Sequence, residues 1–318
     1  MNLDNKIEYR KFVSKNRDSV PIYFHPEWLD AVCNENWECL CHKNKDGEID
    51  AIMPLPYKNI FGFKLYMMPK QTQQLGVWIK ENKNINTNKI KFYSKTDIIY
   101  NYFINNLPKH SVFKIRFLSS YSYLQPFQWR GFIENKKYTY ILNDIKNTDA
   151  IFKNFKSNLR RNIAKAERLV RVNESDDIKL FYEINKKTFT RQKMNIKYSY
   201  LLVKSIDDFL KKNKKRIILF AKDKNNEIHS AIYIVLDNDK AIYLWGGSVP
   251  KFRSSESMSL LMWEAIKKSS LSVNNFDFEG SMIKNIAKYY QKFNPVSEYY
   301  FELVKINNPL LKILYQLK

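Results

Sequence analysis

Apolar positions along the chain switch between the period of a strand and that of a helix, and they do so twice in the same order. WECLCHK (37–43) and RIILFAK (216–222) each read as a short apolar strand. After a polar turn, EIDAIMPLPY (48–57) and EIHSAIYIVL (227–236) read as a second strand. The turns between them, NKDG and DKNN, carry the Asn, Asp and Gly chemistry of a hairpin. KLYMMP (64–69) and AIYLWG (241–246) supply a third strand. Helical spacing follows at 96–107, through Ile98, Ile99, Tyr102 and Phe103, and at 258–269, through Met258, Leu261, Met262 and Ala265. SVFKIRFLS (111–119) and NNFDFEGSM (274–282) close each series as a fourth strand. The offset between copies drops from 179 residues at the first strand to 162 at the helix. A longer insert after the first copy's third strand, residues 70–95 with TQQLGVWIK, accounts for the drop. The pattern predicts an α/β fold (α+β mixed sheet) in two tandem domains, each with helices on the faces of its sheet.

LNDIKNTD supplies turn and N-cap residues near 143–150, which puts the domain boundary between 145 and 146. The domains are then 1–145 and 146–318. A helix from about Ala150 to Leu169 opens the second, with Phe152, Phe155, Leu159, Ile163 and Ala166 on one face. Helices at 177–190 and 198–212 follow. SEYYFELV (298–305) reads as a last strand of this domain. The tail NNPLLKILYQLK reads as a short helix capped by Asn308, with Pro309 at its first position. Its apolar face either packs on the body or docks on a membrane surface.

Three stretches could carry chemistry. In 241–266 a strand runs into Gly246, Gly247 and Ser248, then a basic turn with Lys251 and Arg253, then a helix beginning near Ser254 and Ser255. Glycines at a strand end let a ligand approach the backbone, and a helix N-terminus favours phosphate. The same residues also suit an ordinary connection with Ser255 as cap, and Glu256 competes for the helix dipole. In FDFEGS (276–281), alternation puts Asp277, Glu279 and Ser281 opposite Phe276 and Phe278. A carboxylate buried there either caps the next helix or acts as a general base towards an amine. Tyr289 and Tyr290 on that helix are proton-donor candidates. The segment 153–171 holds seven basic residues and one acid, with four of the chain's 11 arginines within 160–171. Arg160, Arg161 and Lys165 lie there on an arc opposite the apolar face. Arginine forks grip carboxylate and phosphate bidentately, although a solvated face would look the same. TFTRQKMNIKYS (188–199), with Arg191, Gln192 and Tyr198, reads as a polar loop.

Composition narrows the classes. In 318 residues, 54 Lys and Arg face 32 Asp and Glu, a formal charge of +22. Most of it is lysine, 43 against 11 arginines, beside abundant Asn, Ile, Tyr and Phe. That profile fits both a solvated surface and a polyanionic partner. Three cysteines make no disulfide framework, and no CxxC or HxxxH spacing suggests a metal site. P-loop and dinucleotide-binding glycine motifs are missing as well. The N-terminal MNLDNKIEYRKF is polar, and no apolar run is long enough to span a membrane, so a cytoplasmic protein is expected.

The order of elements in the second half resembles the GNAT acyltransferase fold. HPEWLDAVC, TQQLG, SNLRRNIAKAER, TFTRQ and FDFEGSM…KYYQKFNP together resemble the FemAB-like/GNAT superfamily in its short double-GNAT acetyltransferase form, over residues 22–305. The resemblance implies an acyl donor, acetyl-CoA or another acyl-CoA, in the second domain and no metal. It implies an N-acetyltransferase-type reaction on an amine of an anionic small molecule or a cell-envelope or polysaccharide precursor. Glu279 and Asp277 would take the proton. Gly246, Gly247, Ser248, Lys251, Arg253, Ser254 and Ser255 would hold the donor. Arg160, Arg161, Lys165, Arg191, Gln192 and Tyr198 would bind a phosphorylated or otherwise anionic acceptor. PKFRSSES stands where the usual pyrophosphate signature of the fold would be, and the long helical-hairpin insertion of many tRNA-dependent Fem enzymes is missing. Two alternatives stay open: an aminoacyl-tRNA-dependent Fem-type peptidyltransferase, and a non-enzymatic nucleic-acid-binding protein.

Overall fold

The computed structural model describes residues 3–80, 89–191, 196, 198–280 and 282–316. It divides into two compact units, residues 1–137 with 299–318, and residues 138–298. The first boundary falls at 137/138 rather than 145/146, and the last twenty residues group with the first unit.

Unit 1 carries α1 (Leu3–Lys15) and α2 (Pro26–Cys33), then the strands β1 (Trp37–Lys43), β2 (Ile49–Ile60), β3 (Phe63–Met67) and β4 (Trp78–Ile79). α3 (Lys89–Asn106), β5 (Val112–Arg116) and α4 (Gln125–Trp129) follow. The sheet runs β1-β2-β3-β5 and is completed by β12 (Val296–Ile306), with β4 on β2. β12 is antiparallel to β5, with Glu302 opposite Arg116. The strand read as the end of the second domain therefore completes the first. Its buried Glu302 explains the placement: Lys114 (3.7 Å), Arg116 (3.4 Å) and Lys137 (4.0 Å) surround this one carboxylate. α11 (Pro309–Gln316) follows, with Asn308 Oδ1 accepting from the Leu311 N–H as its cap.

Unit 2 is ordered β6-β11-β10-β9-β8-β7, from β6 (Ile133–Leu142), β7 (Arg171–Glu174), β8 (Arg216–Lys222), β9 (Ile228–Leu236), β10 (Lys240–Ser248) and β11 (Asn275–Asp277). Residues 133–137 of β6 group with unit 1 and the remainder with unit 2. Alternation along the strands divides the apolar residues between two faces. Ile217, Leu219, Ile232 and Ile234 pack against α6 (Ser157–Leu169) and α9 (Ser257–Ser269). On the opposite face Tyr233 and Trp245 meet Phe181 of α7 (Ile178–Arg191), and α8 (Tyr200–Lys212) packs beside β8.

The repeat is real at the level of pairing. In each copy three successive strands, β1-β2-β3 and β8-β9-β10, form two antiparallel hairpins, and the closing strand lies parallel to the third: β3 with β5, β10 with β11. The first hairpin slips register at the same place in both, between His42 and Lys43 and between Ala221 and Lys222. Its turn is held the same way too. Asn44 Oδ1 accepts from the Asp46 and Glu48 N–H groups, as Asp223 Oδ1 does from Asn225 and Glu227.

The helix read as continuous over 150–169 is two. α5 (Thr148–Asn154) ends, Phe155 and Lys156 are extended, and α6 begins at Ser157. The break seats Phe155 between Trp263 (5.4 Å) and Phe293 (5.1 Å), and the Lys156 N–H donates to Lys292 O. Periodicity missed this because the apolar spacing runs through the break without losing phase.

Candidate active site

The parallel pairing of β10 with β11 covers only Lys240–Ile242, while β10 continues to Ser248. Between Tyr243 and Trp245 the register against β9 slips, which leaves Leu244 as an extra residue. Such a bulge moves every following side chain to the other face. Trp245 turns towards Phe181 and Tyr233 as a result, and Gly246 comes onto the face of Tyr243. A Cβ at Gly246 would lie 2.2 Å from Tyr243 Oη, and one at Gly247 would lie 2.6 Å from the Asn185 Cα of α7. These glycines let a tyrosine hydroxyl and a helix backbone close on the strand from its two sides.

Two α7 side chains hold the strand end. Asn185 Nδ2 donates to Gly246 O (2.8 Å), and Thr188 Oγ1 accepts from the Ser248 N–H (2.9 Å). Gly246 and Ser248 therefore turn their backbone groups away from β9. The Gly246 N–H shares that side by strand geometry, whereas the Ser248 N–H already has its acceptor. Tyr198 completes the clamp: its hydroxyl donates to Asn185 Oδ1 (2.5 Å), and its ring stacks on Trp245 at 6.0 Å. Burial pushes the Tyr198 hydroxyl above its ordinary pKa.

Beyond Ser248 the chain makes a 3-10 turn, Pro250–Ser255. Lys251 reaches Glu227 (2.5 Å) and lies over the Phe252 ring, which stacks on His229 at 3.8 Å. Arg253 and Ser254 are exposed. Ser255 is not the cap of α9: it is buried, and its hydroxyl donates back to Phe252 O. The cap position belongs to Glu256, left-handed at φ 57, whose carboxylate makes no capping bond. The amides of the first turn of α9 are thus not covered by that acid.

Asp277 and Glu279 have different surroundings. Asp277 is fully buried; Oδ1 accepts from Thr139 Oγ1 (2.6 Å) and the Glu279 N–H (2.8 Å), and Oδ2 from Lys240 Nζ (3.1 Å). Burial pulls the Lys240 ammonium down, but Asp277, Asp237 and Glu279 outweigh it and hold the group above its ordinary value. Glu279 is half-buried and left-handed at φ 58, followed by Gly280 at φ 53. A Cβ at Gly280 would lie 2.2 Å from Tyr138 O, so glycine is required where this loop meets β6. Tyr290 of α10 (Lys284–Tyr290) lies near Glu279, and its ring is 6.3 Å from Tyr243 and 6.0 Å from Tyr289. Burial raises all three hydroxyls, and Glu279 and Asp277 raise Tyr290 further. They remain O–H donors near neutral pH.

The arginine-rich segment is divided. Arg160 points back to Phe155 O (2.9 Å) and Lys153 O, covering carbonyls left open where α5 ends. Arg161 and Lys165 are exposed, and with Arg168 and Leu169 they line a shallow depression of about 310 Å³ on α6. Arg191 ends α7, and Gln192 lies outside the described residues. α6 and α7 lie on opposite faces of the unit 2 sheet, so Arg161 and Lys165 do not share a wall with Tyr198. The sheet stands between them. Tyr243, Asn185 and Thr188 escaped the sequence reading: each looks like a core or helix-surface residue until the bulge at Leu244 is known. Among the described residues, no group of three or more His, Cys, Asp or Glu is placed to hold a metal ion. Nor is any described helix long and apolar enough to cross a membrane.

Residues 153–283 match the family model described as an acetyltransferase (GNAT) domain. Among solved structures the chain is similar to one described as FemX, with a TM-score of 0.70 at 16% identity, over 100% of this chain and 98% of that one. It is also similar to the C-terminal domain of a putative lysylphosphatidylglycerol synthetase from Agrobacterium fabrum, with a TM-score of 0.54 at 11% identity, over 99% and 95% of the two chains. The L-PGS structure from Bacillus licheniformis gives a TM-score of 0.54 at 12% identity, over 98% and 94%. At these identities the likeness is one of fold. No curated protein matches the chain.

Proposed function

We propose that this chain, whose residues 153–283 match a GNAT acetyltransferase domain and whose fold is similar to that of FemX, is an acyltransferase that moves an acyl group from an acyl-CoA to an amine. The acceptor is an anionic small molecule or a cell-envelope or polysaccharide precursor. The observation that carries this reading is the edge of β10 that β11 leaves beyond Ile242, with the Gly246 N–H turned to it and Glu279, Tyr243 and Tyr290 clustered nearby. In the reaction the amine nitrogen bonds to the thioester carbonyl carbon and the C–S bond breaks. Glu279 accepts the amine proton, directly or through a water. The Gly246 N–H stabilises the charge developing on the carbonyl oxygen. A buried tyrosine hydroxyl, Tyr243 or Tyr290, returns a proton to the departing thiolate.

Asp277 is a positioning residue in this scheme, since it fixes the Glu279 backbone and meets no solvent. Arg253 and the first-turn amides of α9 receive the donor's phosphates, and Lys251 joins them by exchanging Glu227 for phosphate. Arg161 and Lys165 are left to the anionic acceptor. A second reading keeps the fold and takes aminoacyl-tRNA as donor, supported by the charge of +22. Calorimetric titration with acetyl-CoA and with tRNA separates them. Micromolar binding of the coenzyme without tRNA binding supports the first reading, and the reverse overturns it. tRNA binding that weakens steeply with salt would favour the second.

A further inference from the structure

Three segments leave the same end of the unit 1 sheet. β3 starts beside the start of β5, with Leu65 paired to Val112, and β12 ends there, with Ile306 paired to Val112. The β2–β3 turn, the loop before β5 and the base of α11 are thereby neighbours. Hydrogen bonds tie them: the Ser111 N–H donates to Lys64 O (2.8 Å), the Asn307 N–H to Ser111 O (2.9 Å), and Asn307 Nδ2 to His110 O (3.2 Å).

The apolar residues at this end face water. Phe61, at the hairpin tip, is 97% exposed; its backbone is left-handed at φ 49 and Gly62 follows at φ 78. Tight hairpins favour Asn, Asp or Gly at such positions, so a bare phenylalanine there has no part in making the turn. Ile60 beside it is exposed too, as are Leu310 (68%) and Ile313 (57%) on α11. The three segments carry charge of one sign, and the nearby acid Glu38, at the start of β1, is paired with Lys64. Residues 57–65, 105–113 and 305–318 hold six lysines and no Asp or Glu. Of these, Lys58, Lys109 and Lys312 are exposed.

We propose that this end of unit 1 docks on an anionic lipid bilayer, with Phe61, Leu310 and Ile313 entering the interface and Lys58, Lys109 and Lys312 meeting the headgroups. Protein–protein interfaces are depleted in lysine, whereas anionic membrane surfaces attract it. Two separate apolar insertions supply the second signal that stable peripheral attachment needs. This placement is independent of the acyl-transfer reading.

Vesicle flotation of the full chain tests it, with phosphatidylcholine alone and with about 30% phosphatidylglycerol added. The chain should float with the anionic vesicles only, and less as salt rises. Joint Phe61→Ser, Leu310→Ser and Ile313→Ser substitution, which leaves the charge unchanged, should weaken binding about tenfold or more with the melting temperature unchanged. Charge reversal at Lys58, Lys109 and Lys312 should weaken it similarly, whereas reversal at Arg161, Lys165 and Arg168 of α6 should not. Failure to float, or binding that survives the apolar substitutions, overturns the proposal. So does a dimer in lipid-free buffer that those substitutions abolish, which would assign the patch to a second copy of the chain.

Discussion

At Asp277 three donors converge on one buried carboxylate: Thr139, the Glu279 N–H and Lys240. Asp277→Asn should lower stability by about 2–3 kcal/mol, less than the full value for a buried pair because Lys240 keeps some solvent. Glu279→Gln should instead leave the denaturation midpoint in place and lower kcat by about 10²–10⁴-fold on an identified substrate. Full turnover in that variant would remove the general-base role. Ionisation here also fixes a pH window. The folded Lys240 holds its proton above the ordinary 10.5, so its contribution is whole below that value and lost as pH rises further. Tyr243, Tyr289 and Tyr290 act in the same direction, since the unfolded chain releases their protons near 10.0 while the folded one keeps them. Melting temperature should therefore fall above about pH 10, with tyrosinate absorbance rising together with loss of structure. Phenolates titrating in a folded chain would contradict this. Alternation put Asp277 and Glu279 on one face, and that is as far as a strand period can go. The positive φ at Glu279 breaks the alternation and separates their roles.

Between elements, the decisive contact is that of α7 with the end of β10. Gly247→Ala would drive a methyl group into the Asn185 backbone, at a cost of about 1–3 kcal/mol in a denaturant titration. Asn185→Ala removes a donor to Gly246 O and an acceptor for Tyr198, and should cost a similar amount. Thr188→Val removes only the side-chain partner of Ser248 and should cost about 1 kcal/mol. The hairpins, their turns and the helix after each third strand were legible in sequence, because hydrophobic period and Asn/Asp/Gly turns are local signals. The Gly246–Gly247 pair was visible too, but its meaning was not. Both glycines read as room for a ligand, whereas Tyr243 and α7 occupy that room. Arg160 is a similar case: an arginine in a basic run that serves a helix end.

For the whole molecule, the exchange of last strands governs which pieces can fold alone. A fragment of residues 138–298 keeps the part of β6 that pairs with β11, and it should melt cooperatively. A fragment of residues 146–318 loses Thr139 and the partner strand of β11 while carrying β12 without β5, and it should not. Circular dichroism melts of both check this, and a cooperative melt of the second would contradict the division. The charge of +22 divides on the same scale. Much of it is lysine spread over the surface; what remains distinct is the α6 face, the turn before α9 and the exposed lysines at the hairpin end of unit 1.

The sequence by itself determined the class of fold, the duplicated order of strands and the family resemblance, all of which rest on local period and on motifs in chain order. Tertiary structure alone decided where β6 and β12 pair, where the helix over 150–169 breaks, and which of two neighbouring carboxylates is buried. Each depends on partners distant in the chain: Thr139 for Asp277, Arg116 for Glu302, and Trp263 and Phe293 for Phe155. Local patterning states only that a residue is apolar or charged. Whether its charge is neutralised, or its ring covered, depends on what the rest of the chain brings against it.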